Sequence, residues 1–373
     1  MKILVVGPFG SPQRDEAIAR GFRECGATVM ECSYGDVLYS TNLLTRIQLR
    51  LSAGPVCQVL AKRVSQAAQQ FQPDVILFRR PLEFTPAMLR YIKKQTPALL
   101  ASFNNDDPFS PAYKDRRWRM LRAAVPLFDL HFAFRRRNIE QYKAHGAKAV
   151  ALWEPFYSPW LHRPLIDSES LNANETAILF AMHAERDARR DAVVGLRQAG
   201  LKVDVHSWNW GREFGEDDAR AFSVMPPIWG DDYVRAVGNS MATLCFFSKQ
   251  NGDELTSRVF EIPACGGLLA AERNERIGQL FKGGEEAILF TGIGDLVGQL
   301  CQLSKNPVRL RQMKKNARAR LLADRHSVVD RCADAMAAMQ QVQEEKTISP
   351  GTEMIERKVT SSGVKSKNST AII

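Results

Sequence analysis

The segment KILVVG (residues 2–7) decides the fold class, because its apolar run ILVV (3–6) is typical of a strand covered on both faces of a parallel sheet. A loop, PFGSPQRD (8–15), a helical segment and a second strand-like segment, ATVMECSY (27–34), follow it. A strand, a helix and a further strand in this order form the repeating unit of an α/β domain. Working outward, the sequence predicts four more strands in the first half of the chain, at residues 74–78, 98–103, 129–134 and 147–153.

The same alternation begins again after a proline-rich stretch, WEPFYSPWLHRP (153–164), which interrupts both helical and strand periodicity. The apolar run AILFAMH (177–183) is the first predicted strand of the second half. The sequence therefore predicts an α/β fold with two Rossmann-like domains. We expect a first domain at 1–153, a linker at 154–175, a second domain at 176–345 whose last helix packs back on the first, and a disordered tail at 346–373.

The positive charge of the chain is concentrated in its first half. The formal net charge is +10, and residues 1–165 hold 24 Lys and Arg against 13 Asp and Glu, which gives +11. Such an excess favours an anionic partner, although a solvated basic surface explains it equally well. The basic, amphipathic segments 42–71 and 113–125 favour an anionic membrane surface as that partner. Nucleic acid is the less favoured partner, since the sequence has no RNA-binding motif.

The cysteines and the N-terminus indicate the compartment. The seven cysteines form no CxxC pair and the six histidines are scattered, so we expect neither a disulfide framework nor a metal site. The apolar run at the N-terminus is too short for a signal peptide, and no run approaches the roughly 18–20 apolar residues of a membrane span. We expect a cytoplasmic protein with possible peripheral contact to the inner face of the membrane.

A ligand site is expected in the loop that follows the apolar strand ATLCFF (242–247), because ligands bind at the carboxyl ends of parallel strands. The loop continues into a predicted helix that begins near residue 255 and is stopped by two glycines. Free N–H groups at the start of such a helix favour a diphosphate. A helix of about nine residues would carry carboxylates at its two ends. The side chains concerned are Asp253, Thr256, Ser257, Arg258 and Glu261; alternatively, this is a short buried helix capped by Asp253.

The run FEIPACGG (260–267), followed by LLAAERNE (268–275), resembles the CgeB-type, spore-maturation-like glycosyltransferases, which are related to retaining family-4 enzymes of GT-B fold. The resemblance covers residues 177–335 and implies two domains that face each other across a cleft. It also implies that Glu261 binds the ribose of a nucleotide-sugar donor. Asp253, where the family has a glutamate, would then bind the donor sugar.

Further donor residues follow from the same resemblance. Arg186 is the basic group expected to face the donor diphosphate, with Arg189 or Arg190 as alternatives on the same segment. Tyr233 is expected near the base, although a helix start capped by Asp231 explains this segment as well.

The acceptor side is expected in the first domain, where the polar loop NNDDP (104–108) follows a buried strand. Asp106 or Asp107 is the candidate acceptor-binding residue or general base, and Asp253 is the third candidate catalytic acid. The acceptor-side residues are Gly10, Arg80 and Asn105. The arginine run 135–137 is a weaker candidate to meet a phosphate, since arginine runs are usually solvated.

The sequence thus favours a hexosyltransferase-like glycosyltransferase of polysaccharide biosynthesis. It would move a sugar from a nucleoside diphosphate sugar to a glycan, lipid-linked or protein acceptor, with no cofactor and no metal, and with retention. Two alternatives remain open: a sugar-nucleotide epimerase or hydrolase of the same fold, and a non-catalytic basic protein that binds membrane or nucleic acid on this scaffold.

Overall fold

The computed structural model describes residues 1–10, 14–165 and 177–359, which form two parallel sheets, each flanked by helices. The first domain has strand order β2-β1-β3-β4-β5-β6. Its strands are β1 (Lys2–Gly7), β2 (Thr28–Ser33), β3 (Val75–Arg79), β4 (Leu99–Asn104), β5 (Leu130–Ala133) and β6 (Val150–Leu152). Its helices are α1 (Asp15–Glu24), α2 (Gly35–Leu38), α3 (Leu43–Leu51), α4 (Pro55–Phe71), α5 (Pro86–Gln95), α6 (Arg116–Ala124) and α7 (Arg136–Ala144).

The second domain has strand order β11-β10-β9-β7-β8 and again only parallel pairs. Its strands are β7 (Ile178–Ala181), β8 (Val203–His206), β9 (Ala242–Cys245), β10 (Leu269–Glu272) and β11 (Ile288–Phe290). Its helices are α8 (Arg189–Gln198), α9 (Trp210–Phe214), α10 (Glu216–Ala221), α11 (Gly230–Asn239), α12 (Arg258–Ala264), α13 (Glu275–Leu280), α14 (Ile293–Ser304) and α15 (Pro307–Ala323), followed by α16 (Val328–Val359).

The central strand β1 is buried on both faces, as its sequence predicts. Leu4 and Val6 pack on one face with α4 and α5, and Ile3 and Val5 pack on the other face with α1 and α16. Side chains of a strand alternate between the two faces of its sheet, so a strand covered on both sides buries its side chains on both faces and is predominantly apolar.

The last helix, α16, packs on the first domain. Val328, Cys332, Ala335 and Met339 are buried in the core that contains Ile18 and Phe22 of α1. The chain therefore crosses between the domains twice, and the two crossings are hydrogen-bonded: Tyr157 N donates to the carbonyl of His326, and Val328 N donates to the carbonyl of Tyr157.

The expected disorder from residue 346 onward is wrong for residues 346–359, because α16 continues to Val359. Residues 360–373 and the linker segment 166–175 lie outside the described residues. No helix in the described ranges is long and apolar enough to cross a membrane.

Candidate functional site

A cleft of about 330 Å³ lies between the two domains, at the carboxyl ends of both sheets. The first domain contributes Arg14, Arg79, Asn105, Asp106 and Arg135, and the second contributes His183, Ser248, Asp253, Thr256, Ser257, Arg258 and Glu261, with Tyr233, Trp208 and Trp229. His162 joins them from the segment between the domains.

The predicted helix on the second-domain wall is shorter than expected. It is α12, which begins at Arg258 with Ser257 at its N-cap, so it has seven residues and places Glu261 in its first turn. Its expected start near residue 255 is wrong, because residues 248–253 fold into a turn in which Asp253 N donates to the carbonyl of Ser248. The two acids therefore do not stand at opposite ends of one helix; instead, both face the cleft.

The start of α12 offers several hydrogen-bond donors to the cleft. The Nε of Arg258 donates to the carbonyl of Ala181, 3.0 Å away, and this anchors the side chain at the end of β7. Within the residues that the structure describes, its two terminal nitrogens and the backbone N–H groups of Thr256 and Ser257 have no acceptor. These donors converge on one wall of the cleft and suit an anionic ligand.

Glu261 and His162 face each other at the base of the cleft. The Nδ1 of His162 accepts a hydrogen bond from Ser158 N at 3.0 Å, so the neutral ring carries its proton on Nε2, which lies 3.9 Å from Oε1 of Glu261. Burial lowers the pKa of His162, and the nearby charge of Glu261 acts in the opposite direction. The ring is therefore a neutral N–H group beside the carboxylate.

Tyr233 is buried against the same wall. Its hydroxyl has no hydrogen-bond partner among the described residues, although the side chain lines the cleft. Burial raises the pKa of Tyr233 well above its ordinary value, and the charge of Glu261 adds to this shift. A buried hydroxyl without a partner is costly, so this group is suited to bonding a ligand.

Asp253 is held by the first domain. Both Nε and Nη2 of Arg135 donate to its Oδ1, the Nε at 2.8 Å, and the side chains of the pair are 3% and 10% exposed. Burial raises the pKa of Asp253, and the charge of Arg135 opposes this. Arg135 is not solvated in the way that arginine runs usually are, because the domain interface covers it.

The first domain also contacts two other residues of the turn that carries Asp253. Asn251 accepts hydrogen bonds from the hydroxyl of Tyr113 and from Asp107 N, at 3.0 and 3.1 Å. Gly252 has a φ of 54°, and the guanidinium of Arg137 lies where a Cβ would be. A side chain at position 252 would therefore collide with Arg137 as well as strain the backbone.

On the first-domain wall, Asp106 and Asn105 face the cleft. Arg80 does not line the cleft; its Nε donates to Asp106 Oδ2 at 2.9 Å and so orients that carboxylate. Arg79, directly before it, forms a buried ion pair with Asp15 at 2.8 Å.

Three further candidates lie away from the cleft. Asp107 is buried and accepts hydrogen bonds from Phe109 N, Asn138 and Arg137, so it fixes the loop and has no free face for a substrate. Gly10 lies beside Tyr39 and is not among the lining residues. Arg186 is 76% exposed and donates to the carbonyl of Glu213.

The alternatives to Arg186 are also engaged elsewhere. Arg189 is buried in ion pairs with Glu185 and Asp187, and Arg190 pairs with Asp218. None of these three arginines lines the cleft in this structure, so the expected contact between this segment and a diphosphate stays a prediction. Ala181, at the end of β7, and the following residues Met182 and His183 line the cleft.

The sequence did not single out His162, His183, Trp208, Trp229 or Arg14 as cleft residues. Trp208 and Trp229 lie in loops after β8 and before α11 and are each 61% exposed. A tryptophan in a predicted loop is a signal that could have marked them. Outside the core, a large apolar side chain often marks a binding surface.

Most of the second domain matches a known protein family. Residues 186–337 match the family described as glycosyl transferase-like. The enzyme class is therefore glycosyltransferase. This finding confirms the class expected from the sequence, whereas the narrower CgeB-type assignment stays a prediction. No curated protein sequence matches the chain.

Solved structures of glycosyltransferases share the fold over nearly the whole chain. HepE of Anabaena in complex with UDP and glucose aligns with a TM-score of 0.62 at 14% identity, covering 91% of this chain and all of that one. Sucrose-phosphate synthase of Thermosynechococcus elongatus aligns with a TM-score of 0.64 at 12% identity, covering 92% and 100%. The expected GT-B fold is confirmed by these likenesses.

A sugar-nucleotide enzyme of another class shares the fold less closely. The putative UDP-N-acetylglucosamine 2-epimerase of Listeria monocytogenes aligns with a TM-score of 0.55 at 13% identity, covering 92% of this chain and 97% of that one. The fold alone is thus compatible with more than one sugar-nucleotide reaction.

Proposed function

We propose that this glycosyltransferase moves a sugar from a nucleoside diphosphate sugar, bound on the second-domain wall of the cleft, to a hydroxyl group presented by the first-domain wall. The observation that supports the proposal most is that Arg258, Glu261 and Asp253 share one cleft with Asp106 of the opposite domain. Cationic and N–H donors, two carboxylates and a facing carboxylate are the groups that such a transfer requires.

The start of α12 is proposed to hold the donor. The terminal nitrogens of Arg258, the hydroxyls of Thr256 and Ser257 and the free N–H groups beside them would bind the diphosphate. They would also stabilise the charge that develops on the leaving diphosphate, which is how a site without a metal accelerates this step. Metal independence is part of the proposal.

Glu261 is proposed to accept hydrogen bonds from the ribose hydroxyls, with the Nε2–H of His162 3.9 Å from its carboxylate. The Tyr233 hydroxyl would bond the base or the ribose. Uridine is the first base to test, because the similar HepE structures contain UDP and UDP-glucose. Asp253 would bind the donor sugar, and retention of configuration is the expected stereochemistry.

The acceptor is proposed to be a glycan, a lipid-linked sugar or a protein hydroxyl, with Asp106 as the group that accepts its proton. Asp106 suits this role better than Asp107, since it faces the cleft and Asp107 does not. Asn105 would hydrogen-bond the acceptor beside it.

A ligand screen and two variants test the donor proposal. UDP, GDP and TDP are each added to the protein, and the shift of its thermal midpoint is measured; one of them should stabilise it and Glu261→Ala should remove that shift. Arg258→Ala should lower sugar transfer by about two orders of magnitude, since an oriented cation at a developing charge contributes that much. Arg311→Ala, on the exposed face of α15, is the matched control. The donor proposal fails if no nucleotide stabilises the protein, or if both site variants transfer sugar as the native chain does.

The reaction products distinguish a transferase from an epimerase. An epimerase converts the nucleotide sugar without releasing the nucleotide, whereas a transferase releases it in step with a glycosylated acceptor. Nucleotide released without any glycosylated product would instead indicate a hydrolase.

A further inference from the structure

Helix α3 presents an apolar stripe to solvent. Leu43, Leu44, Ile47 and Leu51 are 67%, 67%, 44% and 54% exposed. Successive residues of a helix advance by about 100°, so these four side chains occupy an arc of about 100° on one side of α3. Leu49, on the opposite side, is the buried residue of the helix. Helix α3 therefore differs from an ordinary surface helix, whose apolar side packs on the core, because most of its apolar side chains face solvent.

The orientation of α3 is fixed by its neighbours. Asn42 caps its N-terminus through a hydrogen bond from Thr45 N to Oδ1 at 3.1 Å, and Gln48 accepts a hydrogen bond from Val56 N of α4 at 3.0 Å. The helix also packs against α6. Rotation of the stripe into the core would break these contacts, so its exposure is built into the fold.

Basic side chains surround the stripe. Arg46 and Arg50 of α3 are exposed at the edge of the apolar arc, and Lys114, Arg116 and Arg119 are exposed on or next to α6. Within the described residues, none of these five side chains forms an ion pair. Residues 37–73 contain no Asp or Glu at all.

The α6 segment is connected to the cleft. The ring of Tyr113 stacks on Trp118 of α6, with centroids 4.1 Å apart, and its hydroxyl donates to Asn251, which lines the cleft. Helices α3 and α6 follow β2 and β4 along the chain, and the carboxyl ends of these strands lie at the cleft edge of the first sheet. A partner bound here would lie beside the acceptor half of the cleft.

We propose that the apolar stripe of α3, together with Arg46, Arg50, Lys114, Arg116 and Arg119, is a docking surface for an anionic lipid bilayer. Apolar side chains would enter the boundary between headgroups and acyl chains, and the flanking cations would meet the anionic headgroups. A nucleic acid would leave the four apolar side chains without a partner. A second copy of the chain would bring five unpaired cations against five others.

Vesicle flotation tests this surface without using catalysis. The full chain is mixed with vesicles of equal parts phosphatidylcholine and phosphatidylglycerol, or of phosphatidylcholine alone, at low and high salt. We expect flotation with the anionic vesicles, weakened by salt, and little with the neutral ones. Leu43→Ser with Leu44→Ser, and separately Arg116→Glu with Arg119→Glu, should each lower the bound fraction by about tenfold or more.

Matched controls lie on α15, which also exposes apolar and basic side chains. Val308→Ser with Leu322→Ser, and Arg311→Glu with Lys315→Glu, should float as the native chain does. Because all substituted side chains are exposed, each variant should keep its thermal midpoint and its stabilisation by nucleotide, so a failure of docking is distinguishable from a failure of the donor site. The proposal is overturned if the native chain does not float, if the α3 and α6 variants float normally, or if the same residues are needed for binding RNA or for dimer formation in sedimentation.

Discussion

Arg135 of the first domain and Asp253 of the second form an ion pair across the cleft, with Nε 2.8 Å from Oδ1. The pair links the carboxylate proposed to bind the donor sugar to the domain proposed to bind the acceptor. Asp253 is therefore oriented by the opposite domain, and we expect closure of the cleft to contribute to assembly of the donor site.

Loss of Arg135 is expected to be costly. Arg135→Leu leaves the Asp253 carboxylate buried without its cation, and breaking a buried pair in this way destabilises a protein by about 3–5 kcal/mol. The free energy of unfolding in urea measures the effect. Arg135→Leu combined with Asp253→Leu should recover much of the loss, since no charge is left unpaired. A single variant as stable as the native chain would show that the pair is open in solution.

Stability should fall on acidification through the titration of His131. The Nε2 of this buried ring donates to the carbonyl of Val125 at 2.9 Å and its Nδ1 accepts from the hydroxyl of Ser102 at 2.6 Å, so the neutral form is fully satisfied. Burial lowers its pKa to about 4. A depressed pKa contributes stability above the unfolded value of about 6.5, and this is lost as the pH falls towards about 4.

The size of this pH effect is roughly 2–4 kcal/mol, from the separation of the two pKa values. Urea unfolding at several pH values across that window measures it. His131→Gln should make the curve flatter there, and an unchanged slope in that variant would assign the acid sensitivity to other groups.

Tyr233→Phe is expected to separate stability from donor binding. The hydroxyl has no partner in the free protein, so its removal should leave the thermal midpoint unchanged or raise it. If the hydroxyl bonds the donor as proposed, the same substitution should raise the donor KM by about tenfold, which corresponds to one lost hydrogen bond. An unchanged donor KM would place the hydroxyl outside the donor site.

Arg186→Ala is expected to change sugar transfer by less than about twofold, because the side chain is exposed and does not line the cleft. The comparison is with Arg258→Ala at equal donor concentration. A large loss in Arg186→Ala would mean that donor binding moves the segment after β7 towards the cleft.

The alternation of apolar strands and helices was predictable because β1 and β7 are buried on both faces and therefore carry continuous apolar runs, at residues 3–6 and 178–181. Arg258 and Glu261 were expected on one short helix, and α12 carries both, because helix formation over a few residues is local; the start of that helix was misplaced. The partners of the arginines were not predictable, since ion pairs depend on which segments the fold brings together. Arg135 forms an ion pair with Asp253 across the domain interface, whereas Arg186 forms one with Glu213 within its own domain.

The length of α12 was missed for a related reason. The sequence marks its end by two glycines, but its start depends on the turn at residues 248–253, which is held by Tyr113 and Arg137 of the other domain. A helix boundary set by a distant segment leaves no local signal.

The return of α16 to the first domain gives this protein a double hinge. A single connecting strand would allow the domains to twist as well as to bend, but two crossings joined at Tyr157 and Val328 resist twisting and leave bending about their common line as the easy motion. Opening and closing should therefore follow one reproducible path. The two walls of the cleft would return to the same relative position in every turnover. A cut in the chain at one crossing would leave the domains joined through the other.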